Sequence, residues 1–408
     1  MEIASKYNSI YKLDAGKNRE LSLNAFYDRP IPVESAVNCI NRFNLAYFVL
    51  EEANWDEMLL IQSNSLRRLE IVNLINIQQK EYNSLLDNNA NLEIFLLSSI
   101  ALGSYDLVLL SESLVNHTSL QKITIEVPTC TASLEQLAHY LNRNSIIKYI
   151  NLFIRNIING GDNHGIKNIT LETLKLGSKY NDTSTIIESQ WNSISNLKRI
   201  KLYSLKQEGI LMNSIINFHT SVKKITLYID YHCRDFNMAI EKLISMNILT
   251  LTSFKLVYEP YTLLPEFVDA IIEALKVNNT LTNLYSPSDI AKQFIKLNHP
   301  SIKSLIVQAR DFYYDEFLVD NTSLEHVEIR SQLHSLDSAA QSFFKVIQSN
   351  THLKSYKYNK NSIKTNRQSD YEKAQLTNYY KTHPNPILPH NLKFYNNWGF
   401  NIWSLIKQ

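Results

Sequence analysis

Read for hydrophobic and polar positions, the chain carries one short pattern many times over. That pattern is apolar-x-x-apolar-x-apolar, and Leu197-Lys-Arg-Ile-Lys-Leu202 is a plain copy of it. After a weak first copy ending in Leu21 and Leu23, copies begin at Leu45, Leu66, Leu92, Leu120, Ile147, Leu171, Leu197, Val222, Leu251, Leu281, Ile302, Leu324 and Leu353. These fourteen units, spaced 21 to 30 residues apart, predict a solenoid in which no unit buries its apolar face without its neighbours. Successive side chains of a strand alternate faces, so where Ile200 and Leu202 enter the core, Arg199, Lys201 and Tyr203 face outward. Between copies the apolar period becomes helical, as from Ser133 to Leu141. It does so again from Glu266 to Leu275, which Pro265 starts and Asn278-Asn279 stops. Strand and helix therefore alternate, and the expected fold class is α/β with parallel strands.

The segments "EALKVNNTLTNLYSPSD" and "FFKVIQSNTHLKSYKYN", where a helical run ends in Asn-x-x-Leu and leads straight into the strand pattern, resemble the leucine-rich repeats of the ribonuclease-inhibitor-like subclass. The resemblance covers roughly residues 18 to 359 and implies a horseshoe with a parallel sheet on its concave face and helices on its convex face. Residues 1–17 are then an N-terminal cap and 360–408 a C-terminal cap or tail. The family's usual Asn three places beyond the strand is replaced by Leu205, Asp230, Glu259, Arg310 and Gln332, with Asn361 the one match, so irregular repeats are expected.

A chain of 408 residues exceeds the size at which a single globular core stops growing, whereas the core of a stacked array lengthens with each repeat. With 8 Gly and 10 Pro and no tract rich in either, the sequence offers no linker. The 44 Asn, with the many Ile, Lys and Tyr, suggest an AT-rich genome more than a function. Cys39, Cys130 and Cys233 are scattered and odd in number, which points to reducing, intracellular surroundings. The sequons at Asn116, Asn168, Asn181, Asn278 and Asn321 are about what chance gives at this Asn, Ser and Thr content, so no glycosylation is expected. The first twenty residues lack the apolar core of a signal peptide. The most apolar run, Ile94 to Leu110, contains Gly103 and Asp106 and reads as a buried strand entering a helix rather than a membrane span.

Charge changes the picture on one face. Across the strands beginning at Ile147, Leu171, Leu197, Val222 and Leu251, the outward positions hold Lys175, Arg199, Lys201, Lys224 and Lys255 and no acid. The same positions supply Tyr149, Phe153, Tyr203 and Tyr228, while Lys148, Lys198 and Lys223 flank the strands against one Glu172. Eight positive charges are thus gathered in a protein whose net charge is +2. Strands sit about 4.8 Å apart, which makes Lys175 beside Lys201 and Arg199 beside Lys224 like-charge neighbours. Each such pair costs on the order of 1 kcal/mol in a water-like dielectric. An acidic protein surface, a phosphoinositide headgroup or a nucleic acid would use such a face, with Tyr rings as anchors or stacking platforms; a plain solvated face is the alternative.

Toward the N-terminus the outward positions become apolar, with Tyr47, Val49, Val72, Ile94 and Leu96. Either these form an interaction surface or the register there is shifted by one residue and turns them inward. At the other end, Ser369 with Glu372 reads as a capping box. The prolines at Pro384, Pro386 and Pro389 and the aromatics Phe394, Trp398, Phe400 and Trp403 read as a cap or a recognition tail.

Catalytic motifs are missing: there is no Gly-x-Ser-x-Gly, no phosphate loop and no His-Glu-x-x-His. The Gly160 to Gly165 cluster, with Asp162 and His164, has turn chemistry, and His232-Cys233 lacks partners at zinc-ligand spacing, so neither a metal nor a cofactor is expected. Some bacterial leucine-rich-repeat proteins carry a ubiquitin-ligase domain with a catalytic cysteine after the repeats; here Cys233, the last cysteine, lies inside the array. The expectation is a non-enzymatic intracellular scaffold that binds a protein with an acidic surface. The resemblance also suggests a repeat protein of the kind that intracellular bacteria such as Legionella secrete to act on a host protein. Because one family with this repeat type activates Ran, it suggests a regulator of a small GTPase as an alternative.

Overall fold

The structure is a computed structural model that describes residues 11–14, 20–23, 46–51, 62–72, 82–98, 114, 117–158, 166–178, 195–202, 220–229, 234–258, 263–309, 315–331, 346, 349–350 and 352–360. The chain divides into two compact units, Met1–Val222 and Lys223–Gln408.

The first unit is built on β1 (Tyr11–Asp14), β2 (Glu20–Leu23), β3 (Tyr47–Glu51), β4 (Arg68–Val72), β5 (Ile94–Ser98), β6 (Lys122–Ser133), β7 (Tyr149–Ile158), β8 (Thr173–Ser178) and β9 (Arg199–Leu202). From β2 to β9 each strand pairs in parallel with the next, and β1 adds an antiparallel strand on the outer side of β2. Parallel neighbours need a crossover between them; α1 (Tyr82–Asp87) lies in the connection from β4 to β5 and α2 (Leu134–Arg143) in that from β6 to β7.

The second unit repeats the plan. Its strands β10 (Lys224–Ile229), β11 (Ser253–Tyr258), β12 (Asn283–Pro287), β13 (Ser304–Ala309), β14 (His326–Ser331) and β15 (Ser355–Lys360) form parallel pairs in sequence order. Helices α3 (Arg234–Ser245), α4 (Pro265–Val277), α5 (Ser288–Lys296) and α6 (Asp315–Leu318) occupy the successive connections. Each unit is a leucine-rich-repeat solenoid.

The repeat pattern fixes this architecture residue by residue. Every strand from β3 to β15 opens two residues after the first apolar position of its copy, from Leu45 before Tyr47 to Leu353 before Ser355. From Leu66 to Leu353 those first positions are all buried, none more than 3% exposed. Phe48, Phe95 and Phe254 are the largest side chains that the strands bury completely. In α4 the buried Phe267, Val268, Ile271, Ile272 and Leu275 form the stripe that faces the sheet; Pro265 stands in its first turn and Asn278 at its C-cap. The pattern did not announce the length of β6 and β7, which run to 12 and 10 residues. Their register shifts between Val127 and Thr131, where β6 carries extra residues, with Cys130 buried in the bulge.

Part of the Asn content has a structural use. Three residues before the first apolar position stand Asn89, Asn144, Asn168, Asn278, Asn321 and Asn350, all buried. Asn168 shows the device: its Oδ1 accepts from the amides of Thr170 and Leu171 at 3.0 and 2.8 Å, while its Nδ2 donates to the carbonyls of Leu141 and Asn144, both at 2.7 Å. One side chain therefore closes its own turn and ties it to the preceding repeat. His299 fills the same position with Nε2 at 2.8 Å from the carbonyl of Leu275, and His117 does so against Asn89 at 3.1 Å. Just before the first apolar residue, a hydroxyl donates to the carbonyl of the preceding copy's first apolar residue: Thr170 to Ile147, Ser221 to Leu197 and Ser301 to Leu281. Three of the ladder residues, Asn168, Asn278 and Asn321, are also sequon positions, with Thr170, Thr280 and Ser323 at the second place.

A second Asn series lies on the exposed side. Asn247 and Asn298 adopt positive φ, 53° and 48°, just past the ends of α3 and α5. Asn is among the few residues that enter this region at low cost, and it ends helices there. Their Oδ1 atoms accept from the amides of Asn279 and Thr322, one repeat later, at 2.6 and 2.7 Å.

Candidate binding face

In the first unit, register sorts the outward side chains into rows that cross the strands. One row runs Tyr47, Arg68, Ile94, Lys122, Tyr149, Thr173, Arg199, and the next runs Val49, Glu70, Leu96, Thr124, Asn151, Lys175, Lys201. The expected pairing of Lys175 with Lys201 is present, and Thr173 lies beside Arg199. Tyr149 stands between two cations, with Lys122 Nζ 4.9 Å and Lys175 Nζ 5.0 Å from its ring centroid. Each contact contributes roughly 0.5–1 kcal/mol at an exposed site and holds an ammonium group against the ring. Phe153 is half-buried on β7 beside Gly177, and Arg155 is exposed two residues further on the same face. Tyr203 lies outside the described residues.

The outward positions of β7, β8 and β9 carry no acid among the described residues. The acid next to them is Glu126 on β6, whose Oε1 accepts from Asn151 Nδ2 at 3.1 Å. Glu172, between the first apolar position and the strand, pairs with Lys198 at 2.9 Å, and the hydrogen bond from Lys198 holds its carboxyl below the usual range. Lys198 therefore balances Glu172 rather than adding to the face. Arg199 stands on the last strand of the first unit and Lys224 on the first strand of the second.

In the second unit Lys224 is exposed beside Ser253, and Tyr228 is half-buried beside Val257. Lys255 is in register with Tyr285, its Nζ 3.9 Å from the ring centroid. Arg330, two strands beyond Tyr285, places its guanidinium 5.5 Å from the same ring. Glu328 Oε1 holds Arg330 Nε at 2.6 Å, and this hydrogen bond raises the guanidinium pKa. Burial raises the Tyr285 phenol, partly offset by Arg330. The cations here are thus arranged differently from those on β8 and β9, with the carboxylate of Glu328 already among them.

On the N-terminal strands the shifted register is excluded. Tyr47, Val72, Ile94 and Leu96 are half-exposed and alternate with Phe48, Leu69, Ile71, Phe95 and Leu97, each at most 1% exposed. Val49 pairs in register with Glu70. The face is not wholly apolar: Arg68 forms an ion pair with Glu70 and lies 4.3 Å from the ring centroid of Tyr47.

Lys122 and Arg155 in the first unit, and Tyr285 and Arg330 in the second, are outward residues beyond those picked from the sequence. The alternation that placed Lys175 outward places them outward too, once it is applied to the strands on either side of the chosen five and to the full length of β7. The Gly160–Gly165 cluster, His232-Cys233 and the segment after Lys360 lie outside the described residues. Among the described residues no group of three or more His, Cys, Asp or Glu is placed to hold a metal ion, and no helix is long and apolar enough to cross a membrane.

No family model and no curated protein matches the chain. Solved structures do. The chain is similar to one in the crystal structure of the yeast Rad7 and Elc1 complex, with 13% identity and a TM-score of 0.42 over 84% of this chain and 90% of that one. It is also similar to one in the TLR13–ssRNA13 complex, with 10% identity and a TM-score of 0.37 over 79% of this chain and 47% of that one.

Proposed function

We propose that the chain is a non-enzymatic scaffold that binds a protein partner through the outward face of its strands, with an acidic surface of the partner seated on β6 to β9. The observation that carries this reading is the pair of ammonium groups, Lys122 and Lys175, held against Tyr149, with Lys201 in register beside Lys175 and no acid at the outward positions of β7 to β9. Like charges on adjacent strands repel, and a partner carboxylate would relieve that repulsion. Tyr149 and Phe153 supply the aromatic area around which binding energy concentrates; the second unit has its own outward positions at Lys224, Tyr228 and Lys255. A cytoplasmic place of action follows from the scattered cysteines, and a host protein as the partner follows from the resemblance to secreted bacterial repeat proteins.

The test is capture from a eukaryotic cell lysate by the full chain and by a Lys122→Glu/Lys175→Glu/Lys201→Glu variant, both shown to be folded by circular dichroism. A protein retained by the first and lost by the second supports the reading; equal capture moves the site elsewhere. Tyr149 between two cations also suits a stacked base. A nucleic-acid ligand is distinguished by a steep loss of affinity between low and moderate salt, from release of counterions at phosphate contacts.

A further inference from the structure

The row through the middle of the first unit changes chemistry along its length: Leu96 on β5, Thr124 on β6, Asn151 on β7, Lys175 on β8 and Lys201 on β9. Its apolar end is broadened by Ile94 on the same strand and by Val72 on β4, both half-buried. Beyond that end, Arg68 and Glu70 satisfy each other as an ion pair, so the outward charges of β4 are matched within the strand. Its other end carries the adjacent lysines. Between the two, Thr124 is 5% exposed and Asn151 donates to Glu126, so the middle of the row is uncharged.

We infer that the partner element recognised by this unit is a protein segment of divided character, an apolar anchor on Val72, Ile94 and Leu96 followed by an acidic stretch over Lys175 and Lys201. The inference rests on the proposed function and narrows it to one class of partner. The lysines call for carboxylates by charge complementarity, and the apolar end, continuous with them on one sheet, calls for side chains that a nucleic acid or a lipid headgroup lacks. Spacing follows from the sheet. From β5 to β8 or β9 is three or four strand separations, about 14–19 Å at roughly 4.8 Å each. A helical segment rising about 1.5 Å per residue spans this in about 9–13 residues, and an extended one, at about 3.3 Å, in about 4–6.

The probe is a displayed library of random peptides of about twenty residues, selected on the full chain, on a Leu96→Thr/Ile94→Gln variant and on a Lys175→Glu/Lys201→Glu variant. Leu96→Thr alone, which puts a β-branched strand former at this position, serves if the double change unfolds the chain. The full chain is expected to enrich peptides with large apolar residues at one of the two offsets from an Asp/Glu pair. The apolar variant should enrich acidic peptides without the apolar cluster, and the charge variant should lose the acidic preference. A synthesised winner should bind at least tenfold more weakly to each variant. Acidic winners with no apolar cluster, or with one at no fixed offset, overturn the inference and leave the basic face standing as a site. Winners with no acidic preference, or no enrichment at all, overturn both.

Discussion

Asn278 donates from Nδ2 to the carbonyl of Ile244, 34 positions earlier, at 2.6 Å, while its Oδ1 accepts from the amides of Thr280 and Leu281 at 3.1 and 2.9 Å. A buried amide thus meets backbone groups that two successive repeats leave over where a helix ends and a strand has not begun. Leaving such groups unpaired costs about 1–3 kcal/mol each, and the chain solves the problem with the same residue type at the same place in repeat after repeat.

Truncation of a ladder residue should therefore cost far more than loss of an exposed Asn. Asn321→Ala removes the donor to Ile295 and the acceptor for Ser323 and Leu324, and the expected loss is roughly 2–4 kcal/mol. Asn283→Ala, on the exposed side of β12, should change stability by less than about 0.5 kcal/mol. Denaturant titration measures the difference, and faster amide exchange at Ser323 and Leu324 should locate it.

The same geometry decides the sequons. Asn168, Asn278 and Asn321 are 6%, 3% and 2% exposed, with both side-chain atoms engaged. When the chain is passed through a glycosylating secretory pathway and recovered folded, peptide mass spectrometry should find these three sites unmodified. Glycan on any of them in folded material would contradict the ladder.

The solenoid was legible because its signal is local and repeated: Leu66, Leu92, Leu120 and their counterparts are apolar for one reason, and twelve burials follow from one rule. The ladder was legible in principle, since Asn-x-x-Leu recurs at Asn278 and Asn350, but His117 and His299 hide it by bonding the preceding repeat through a ring nitrogen, and Ser63 by closing its turn with a hydroxyl that accepts from the amide of Ser65. On the outward face, alternation put Lys175 and Lys201 on the same side as the structure does, because direction within a strand needs no long-range information. The contact of Lys122 with Tyr149 depends on register between strands 27 residues apart, and that of Arg330 with Tyr285 reaches across an intervening strand. The register shift of β6 against β7 breaks the period itself, and so no periodic reading could reach it.

One ladder residue should make stability depend on pH. Burial lowers the pKa of His117 from 6.5, against smaller raising effects from the Asn89 carbonyl and the nearby Asp87. A folded pKa below the unfolded one means that the unfolded chain takes the proton first. The contribution of His117 is thus complete above pH 6.5 and is lost as pH falls through its folded pKa. Denaturation midpoints should drop between pH 7.5 and 5, and His117→Asn, which restores the commoner ladder residue, should flatten that part of the slope. An unchanged slope in the variant would assign the effect to other groups.

The lysines on β8 and β9 allow a sharper test, because folding and binding pull in opposite directions there. Lys175→Glu replaces a like-charge neighbour of Lys201 with an opposite one. Cross-strand pairs of this kind change stability by about 0.2–1 kcal/mol, while the lost contact with Tyr149 removes roughly 0.5–1 kcal/mol. The variant should accordingly be about as stable as the parent, within roughly 1 kcal/mol. Binding to a partner with an acidic surface should fall by an order of magnitude or more, since an attraction has become a repulsion in a partly dehydrated contact. Thermal unfolding and titration calorimetry on the same two preparations separate the effects. Unchanged stability with lost affinity would mark Lys175 as a residue kept for its partner. A large loss of stability would show that the basic row serves the fold, and full affinity would remove it from the interface.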